Sequence, residues 1–293
     1  MSAMFCSMLR RSLPAARHGA AVRFMCSENQ PYLFERLSGE NEGIGVISMN
    51  RAKVNALGKE TLTFMNSIMS ELSTDKATRV LILRSIIPGV FCAGADLKER
   101  VKFTEDEVRM YVRQAQKMIT DLEQLKMPVI GALDGHAMGG GLEFALACDF
   151  RVAATNAKMG LVETRLAIIP GAGGTQRLSR LVGRAKAKYL IFTAAVLKGE
   201  EAAKIGLVDE VVDQNDAGDA AYHAAVDMAR KIVPQGPIAV AAAKQAVNQG
   251  IEQNLADGLN TEWACYEKVI PTKDRIEGLM AFKEKRKPVY RGE

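Results

Sequence analysis

Residues that could crosslink the chain or bind a metal are scarce in this sequence. It contains five cysteines and three histidines among 293 residues, and no two cysteines form a C-x-x-C pair. The cysteines are Cys6, Cys26, Cys92, Cys148 and Cys265. This odd, scattered set argues against a disulfide framework or a zinc site and favours a reducing compartment. We therefore expect no bound metal.

Long apolar runs and the common phosphate-binding motifs are also missing. No stretch of about eighteen or more apolar residues occurs, which argues against membrane insertion. Neither the G-x-G-x-x-G spacing of dinucleotide sites nor the G-x-x-x-x-G-K-S/T phosphate loop is present. No sequence period is visible either, so self-similarity does not indicate a repeat architecture.

The overall composition is that of an ordinary globular protein. Apolar residues make up 48% of the chain and charged residues 25%, which allows a substantial core in one large domain or two smaller ones. The formal net charge of +5 argues only weakly for a nucleic acid or an anionic membrane as partner.

Part of that positive charge lies in the first 27 residues. This segment has no acidic residue and contains the arginines Arg10, Arg11, Arg17 and Arg23. Its composition is typical of a mitochondrial transit peptide and predicts a location in the mitochondrial matrix. A secretory signal fits less well, because arginines and Pro14 interrupt the apolar core that such a signal needs. A disordered basic arm is the alternative interpretation.

Behind this leader, predicted strands alternate with amphipathic helices. Ile44 to Met49 and Val80 to Leu83 predict strands, and Lys59 to Leu72 predicts a helix with apolar residues three and four apart. Thr104 and Glu107 have the spacing of a capping box that opens a long helix. This alternation of strands and helices indicates an α/β fold.

Beyond residue 180 the predicted elements are mainly helical, with one short strand: Arg184 to Thr193, Lys198 to Ile205, the strand Val208 to Val212, Ala217 to Ile232, Ile238 to Asn248, Leu255 to Val269 and Thr272 to Arg286.

The stretch that best fits a catalytic site begins with a predicted buried strand, Val129 to Leu133. Three glycines, Gly139 to Gly141, then precede a predicted helix from Leu142 to Cys148. Glycines let a ligand approach the backbone, and the free N–H groups of a helix start can hold an oxygen that gains negative charge. Glu143 and Glu163 are two carboxylates in apolar, glycine-flanked sequence, which suits acid and base chemistry beside such a site.

Simpler explanations exist for the same residues. Gly139 to Gly141 could form only a tight strand-to-helix turn, and Glu143 could merely stabilise the first helical turn through the helix dipole. A second segment of small residues, Gly89 to Lys98, follows the predicted strand Val80 to Leu83. It offers another place where backbone N–H groups are accessible.

Three motifs in this order resemble the enoyl-CoA hydratase/isomerase (crotonase) superfamily: Phe91 to Glu99, Gly135 to Glu143 and Pro170 to Leu178. The resemblance runs from about Phe34 to the end of the chain. Three further segments most resemble the mitochondrial methylglutaconyl-CoA hydratases of this family: Ala95 to Arg100, Met159 to Thr164 and Ile270 to Arg275.

The resemblance implies an α/β fold, a crotonase-like spiral of strand–strand–helix turns with a C-terminal helical trimerisation region. Residues 1–27 would be the transit peptide, 28–230 the spiral domain and 231–293 the helical oligomerisation region of a homotrimer or homohexamer. It also implies a hydro-lyase that adds water across the 2,3 double bond of an enoyl-CoA thioester. No prosthetic group would be needed, since coenzyme A is part of the substrate.

Site residues follow from the same resemblance. The backbone N–H groups of Ala95 and Gly140 would form the oxyanion hole. Glu143 would activate water and Glu163 would deliver a proton to C2, although a shared site couples their titrations. The residues implied to bind coenzyme A are Lys53, Ala56, Leu57, Asp96, Phe282 and Lys285.

Several alternatives remain at this point. Lys98 and Arg100 are the nearest basic residues for the extra carboxylate of a methylglutaconyl substrate, with arginine the better clamp. Phe282 and Lys285 could belong only to a solvated helix end, and His136 could be a general base. The short-chain enoyl-CoA hydratases of fatty-acid β-oxidation are the alternative enzyme class. Binding of AU-rich RNA would need a basic helix face, where this chain has Lys59, Thr63 and Ser67.

Overall fold

The computed structural model describes residues 30–51 and 53–293. The predicted transit peptide, with Cys6 and Cys26, lies outside the described residues. The strands within them are β1 (Tyr32–Arg36), β2 (Ile44–Met49), β3 (Val80–Ser85), β4 (Val90–Cys92), β5 (Val129–Leu133), β6 (His136–Met138), β7 (Phe150–Ala154), β8 (Lys158–Gly160), β9 (Leu197–Lys198) and β10 (Glu210–Val212). The α-helices are α1 (Lys59–Leu72), α2 (Leu97–Arg100), α3 (Glu105–Glu123), α4 (Gly140–Leu146), α5 (Gly174–Val182), α6 (Arg184–Phe192), α7 (Gly199–Lys204), α8 (Ala220–Ile232), α9 (Pro237–Gly250), α10 (Leu255–Glu267) and α11 (Lys273–Glu284).

The strands form two sheets. The larger has the order β1-β2-β3-β5-β7-β10, and the smaller has the order β4-β6-β8-β9. All neighbouring strands are parallel except the pairs β1–β2 and β8–β9. The successive pairs β3/β4, β5/β6 and β7/β8 each place one strand in the larger sheet and the next in the smaller. The spiral of strand–strand–helix turns is therefore confirmed.

The larger sheet is buried on both faces. All five residues of β5 are buried, as expected for a parallel strand covered by other elements on each side. One face packs against α8 through small residues of that helix, among them Ala221, Ala225 and Ala229. The opposite face joins a larger core with the smaller sheet, α1 and α3.

Elements with a strong periodic pattern agree with the prediction. The helix α1 spans the predicted Lys59 to Leu72, and the capping box is confirmed by bonds from Thr104 N to Glu107 Oε2 (2.9 Å) and from Glu107 N to Thr104 Oγ1 (3.3 Å). The helix predicted from Leu142 instead begins two residues earlier, because Gly139 takes the N-cap position. The predicted strand Val208 to Val212 contains β10, whereas β4 was not predicted because its three residues carry too short a pattern.

A lysine of the C-terminal helices bonds to residues at the ends of the sheet strands. In α9, the Nζ atom of Lys244 donates to Asp149 Oδ2 (2.7 Å) and to the carbonyl of Met127 (3.1 Å). These helices also expose large apolar side chains: Val247, Ile251, Leu255, Leu259, Trp263 and Tyr266. The predicted boundary between residues 230 and 231 falls in the last turn of α8, and the division of domains stays a prediction. Within the described residues, no helix is both long enough and apolar enough to cross a membrane.

A buried carboxylate fixes the start of α8 against the sheet. Asp134 Oδ1 accepts from Ala221 N (2.7 Å) and Asp134 Oδ2 accepts from Tyr222 N (3.1 Å), so the side chain satisfies two N–H groups of the first helical turn. Gln214 Nε2 also donates to Oδ1 (3.2 Å). Gln214 Oε1 accepts from the preceding N–H group, that of Ala220 (3.0 Å). Because Ala221 N and Tyr222 N depend on the carboxylate, Asp134 should matter for stability.

We expect Asp134→Ala to lower the free energy of unfolding by about 1–3 kcal/mol, because buried N–H groups lose their acceptors. Urea unfolding followed by circular dichroism measures this change. Asp227→Ala on the same helix is the matched control, since Asp227 forms only an exposed ion pair with Arg230 and should cost about 1 kcal/mol or less. Equal losses in the two variants would contradict the capping role of Asp134.

Candidate active site

Two backbone N–H groups that find no acceptor among the described residues lie side by side at the starts of α2 and α4. Ala95 precedes α2, and Gly140 is the first residue of α4. A side-chain carbon added at Gly140 would lie 3.6 Å from Ala95 N, and one added at Gly94 would lie 3.1 Å from Gly140 N. Neither N–H donates a hydrogen bond to any group in residues 30–51 or 53–293. Two adjacent free donors of this kind can hold an oxygen that carries negative charge.

Glycine at position 94 is required for this approach. A side-chain carbon there would lie 2.7 Å from the carbonyl oxygen of Met138, which is closer than atoms can pack. Gly94 also has a φ of +88°, in the region that favours glycine. The turn before Ala95 can therefore lie directly against the start of α4.

Glu143 is enclosed in the first turn of α4. Only 3% of the residue is exposed, and its Oε1 atom accepts from the N–H groups of Ala172 (2.8 Å) and Gly174 (2.7 Å). Burial raises the pKa of Glu143, whereas these two bonds and the nearby charges of Arg177 and Arg100 oppose the rise. The second glycine-rich turn therefore fixes the carboxyl and stabilises its ionised form.

Glu163 lies beside the N-cap of the same helix. Its Oε1 atom is 3.2 Å from the position of a side-chain carbon added at Gly139, and its Oε2 atom is buried without a partner in the described part of the chain. Burial and the negative charge of Glu143 raise the pKa of Glu163 to about 7. The two carboxyls thus interact, and Glu163 is the one that readily holds a proton near neutral pH.

Four of the six residues predicted to bind coenzyme A lie together. Lys53, Ala56 and Leu57 belong to one loop, and Asp96 N donates to the carbonyl of Leu57 (2.9 Å). Lys53 is exposed, as a phosphate-binding lysine would need to be. The structure does not bring the other two there: Phe282 is 87% exposed on α11, and Lys285 ends that helix. No hydrogen bond or ion pair between described residues joins them to the loop.

The two candidates for a substrate carboxylate differ in position. Lys98 is exposed on α2, whereas Arg100, at the end of α2, is half-buried and lies with its guanidinium carbon 5.8 Å from the ring centre of Tyr111. Arg100 also opposes the rise in pKa of both Glu143 and Glu163. The charge of Arg100 thus acts on both glutamates, whereas Lys98 shows no such influence.

The remaining alternatives gain no support from the geometry. His136 Nδ1 is buried without a partner among the residues described, and no hydrogen bond connects it with either glutamate. The face of α1 that RNA binding would need exposes Lys59, Thr63 and Ser67, which is a single cation. In the described residues, no group of three or more His, Cys, Asp or Glu side chains is placed to hold a metal ion.

Comparison with known proteins identifies the family of this chain. A family model described as enoyl-CoA hydratase/isomerase matches residues 39–293. The chain belongs to this family. It is therefore similar to proteins that act on coenzyme A thioesters. Membership of this family explains both its fold and its three glycine-rich motifs.

Individual relatives of this hydratase-family chain cover most of its length. A human protein named methylglutaconyl-CoA hydratase, mitochondrial, is 53% identical over 285 residues, 96% of this chain and 84% of that protein. An Arabidopsis thaliana protein named probable enoyl-CoA hydratase 2, mitochondrial, is 50% identical over 258 residues, 88% of this chain and 84% of that protein. The crystal structure of enoyl-CoA hydratase from Bacillus anthracis superposes with a TM-score of 0.85 at 45% identity, covering 90% of this chain and all of that one.

Sequence reasoning missed two arginines that organise this hydratase-type site. Arg51 Nη1 donates to the carbonyl of Ala56 (2.6 Å) and Arg51 Nη2 to Asp96 Oδ2 (3.0 Å). Arg177 Nη1 donates to the carbonyl of Ala172 (3.2 Å) and so supports the turn that holds Glu143. Arg177 lies in the motif Pro170 to Leu178, and Arg51 lies two residues before Lys53. Their partners in the site are two carbonyls and the side chain of Asp96, and the sequence alone does not identify such pairings.

The raised pKa of Glu163 should make stability depend on pH. A carboxyl whose pKa is about 7 in the folded chain and 4.5 ordinarily binds its proton more tightly when folded. Stability should therefore fall as the pH rises between these two values. Glu163→Gln removes this titration, so we expect the variant to melt roughly 2–5 °C above the wild type at pH 8.

Differential scanning calorimetry at pH 4.5, 6 and 8 measures this effect. The advantage of Glu163→Gln should shrink steadily toward pH 4.5, where both forms carry a neutral side chain. Glu200→Gln is the control, because Glu200 is an exposed glutamate on α7. An advantage of Glu163→Gln that is the same at all three pH values would contradict the raised pKa.

Proposed function

We propose that this hydro-lyase adds water across the 2,3 double bond of 3-methylglutaconyl-CoA, with Ala95 and Gly140 as the oxyanion hole and Glu143 and Glu163 as the acid–base pair. Hydration of an enoyl thioester needs donors for the carbonyl oxygen as it gains charge. It also needs a base that activates water at C3 and an acid that protonates C2. The chain would supply all three from its own residues, without a prosthetic group.

The observation that carries the proposal is the convergence of four groups from distant parts of the chain. The two free N–H donors lie beside the start of α4, the same helix carries Glu143, and the Glu163 carboxyl lies against its N-cap. A thioester oxygen held by the donors would place the neighbouring double bond near both carboxyls. Fixed donors need no reorganisation as charge develops, which is why they favour the transition state.

The surroundings of the two carboxyls support different roles. Glu143 accepts two backbone N–H bonds that stabilise its ionised form, which suits a base that takes a proton from water. Glu163 has one oxygen that finds no partner in residues 30–51 and 53–293, and its pKa is raised to about 7. These properties suit an acid that holds a proton at neutral pH. Their charges interact, so the measured pKa values will belong to the pair.

The choice of substrate rests on Arg100 and on the relatives. A methylglutaconyl chain ends in a second carboxylate. Arg100 is half-buried, and its positive charge opposes the rise in pKa of both glutamates. A guanidinium can bind both oxygens of a carboxylate. The human, mouse and rat relatives named methylglutaconyl-CoA hydratase, mitochondrial, are 53–56% identical. Their names support a mitochondrial location and a role in leucine degradation. We propose that the protein acts in the mitochondrial matrix.

Binding of coenzyme A would use the loop of Lys53, Ala56 and Leu57 together with Asp96. Phe282 and Lys285 would reach it only from another subunit, which fits the proposed homotrimer or homohexamer. The apolar side chains exposed on α9 and α10 are a surface such an assembly could cover. RNA binding is not proposed, since nothing among the described residues favours it.

We expect Glu143→Gln and Glu163→Gln each to lower kcat for crotonyl-CoA by at least about 10³-fold, because each removes one half of the proton transfer. Steady-state absorbance at the enoyl band measures turnover, and calorimetric titration with a saturated acyl-CoA should give a Kd close to the wild-type value. In the wild type, kcat/KM should fall on the alkaline side as Glu163 loses its proton near pH 7. Near-normal turnover in either variant would remove that glutamate from the mechanism.

Arg100→Met should separate the two candidate substrates. We expect kcat/KM for 3-methylglutaconyl-CoA to fall by about 10–100-fold relative to that for crotonyl-CoA, since one charge-assisted contact is lost. The ratio cancels any effect of Arg100 on the glutamates, because both substrates experience it equally. Lys98→Met, on the exposed side of α2, is the matched control and should leave the ratio unchanged. A wild type that strongly prefers crotonyl-CoA would favour the short-chain hydratases of fatty-acid β-oxidation.

A further inference from the structure

The carbonyl of Leu57 is a junction of three segments. Its oxygen accepts from Asp96 N (2.9 Å) and from the hydroxyl of Tyr111 (2.6 Å), a buried residue of α3. On its other side, Leu57 N donates to the carbonyl of Gly94 (2.7 Å). Leu57 and Ala95 thus form an isolated parallel bridge.

This bridge determines where the N–H of Ala95 points. The two main-chain bonds of Leu57 go to Gly94 and Asp96, the residues on either side of Ala95. In extended backbone, successive N–H groups point in opposite directions. The N–H of Ala95 is therefore directed away from Leu57, toward the start of α4 and Gly140, and it is left free.

Two side chains hold the loop that supplies the bridge. Arg51 fixes the carbonyl of Ala56 (2.6 Å), and Tyr111 fixes the next carbonyl, that of Leu57. Tyr111 reaches it from α3, a 19-residue helix whose buried face packs against the core. The hydroxyl group of Tyr111 thus anchors the loop to a helix that is packed against the core.

We propose that Tyr111 is a positioning residue for the proposed oxyanion hole, acting on the Ala95 donor through Leu57. This inference rests on the function proposed above. The hydroxyl of Tyr111 is occupied by Leu57 and does not need to touch the substrate. The hydroxyl contributes by limiting the motion of the Ala95 N–H. That donor stabilises the transition state best when it is fixed before charge develops on the substrate oxygen.

Tyr111→Phe tests the proposal, because it removes the hydroxyl and keeps the ring that packs against Phe103 and Arg100. We expect kcat for crotonyl-CoA to fall about 5–30-fold, less than the roughly 10²–10³-fold loss of a whole donor. KM should stay within about twofold, and the pH profile should keep its wild-type midpoints, since the glutamates are not displaced. A change confined to KM, or to the melting temperature, would overturn the proposal.

A chromophoric thioester gives a second readout that does not depend on turnover. An enoyl-CoA conjugated to an electron-donating aryl group absorbs at longer wavelength when its carbonyl oxygen is polarised by hydrogen bonds. We expect the bound ligand to show a smaller red shift in Tyr111→Phe than in the wild type. Tyr189→Phe is the matched control, because Tyr189 is exposed and its hydroxyl bonds to no group in the described ranges. A full wild-type shift in Tyr111→Phe would overturn the role of Tyr111.

Glu163→Gln distinguishes failure of this inference from failure of the proposed function. That variant should lose turnover and keep the full red shift, because it leaves both backbone donors in place. If the wild type itself gave no red shift, the oxyanion hole would be refuted and the positioning role of Tyr111 with it. A normal shift in the wild type together with a normal kcat in Tyr111→Phe would refute the positioning role alone.

Discussion

The negative charge of Glu143 acts on the carboxyl of Glu163 in a site where Glu143 is buried and Glu163 is half-buried. Burial raises the pKa of both carboxyls, and the charge of Glu143 raises that of Glu163 further. Two backbone N–H groups from the turn after Pro170 hold Glu143, and the charge of Arg100 opposes the rise in both pKa values. The apolar core between the sheets provides the stability that offsets the cost of keeping these groups buried.

The spiral explains how residues far apart in the sequence meet. Each turn crosses from the larger sheet to the smaller, so β4 and β6 lie side by side in one sheet. The turn after β4 carries Ala95, and the turn after β6 leads into Gly140 and α4. Parallel strands end at the same edge, so both donors are delivered to one place. Ala172 and Gly174, from the next turn of the spiral, then close the site over Glu143.

The sequence predicted those parts of the molecule whose signal is local. A 14-residue amphipathic pattern located α1 to the residue, and the spacing of Thr104 and Glu107 located the start of α3. The short strands β4, β6 and β8 were not predicted, since their hydrogen bonds come from neighbours that the sequence does not identify. The short strand β10 was predicted, within Val208 to Val212. The roles proposed for Ala95, Gly140 and the glutamates came from motif resemblance. Tyr111 was missed because its partner is a main-chain oxygen 54 positions away.

The donors proposed for the thioester are main-chain atoms, whereas the group proposed to choose the substrate is the side chain of Arg100. Stabilisation of the thioester oxygen and choice of the acyl group therefore differ in how easily a mutation can change them. A point mutation cannot delete the N–H of Ala95 unless it introduces proline, but it can replace Arg100 in one step. Descendants of this scaffold could consequently acquire new acyl preferences while the chemical step is passed on unchanged.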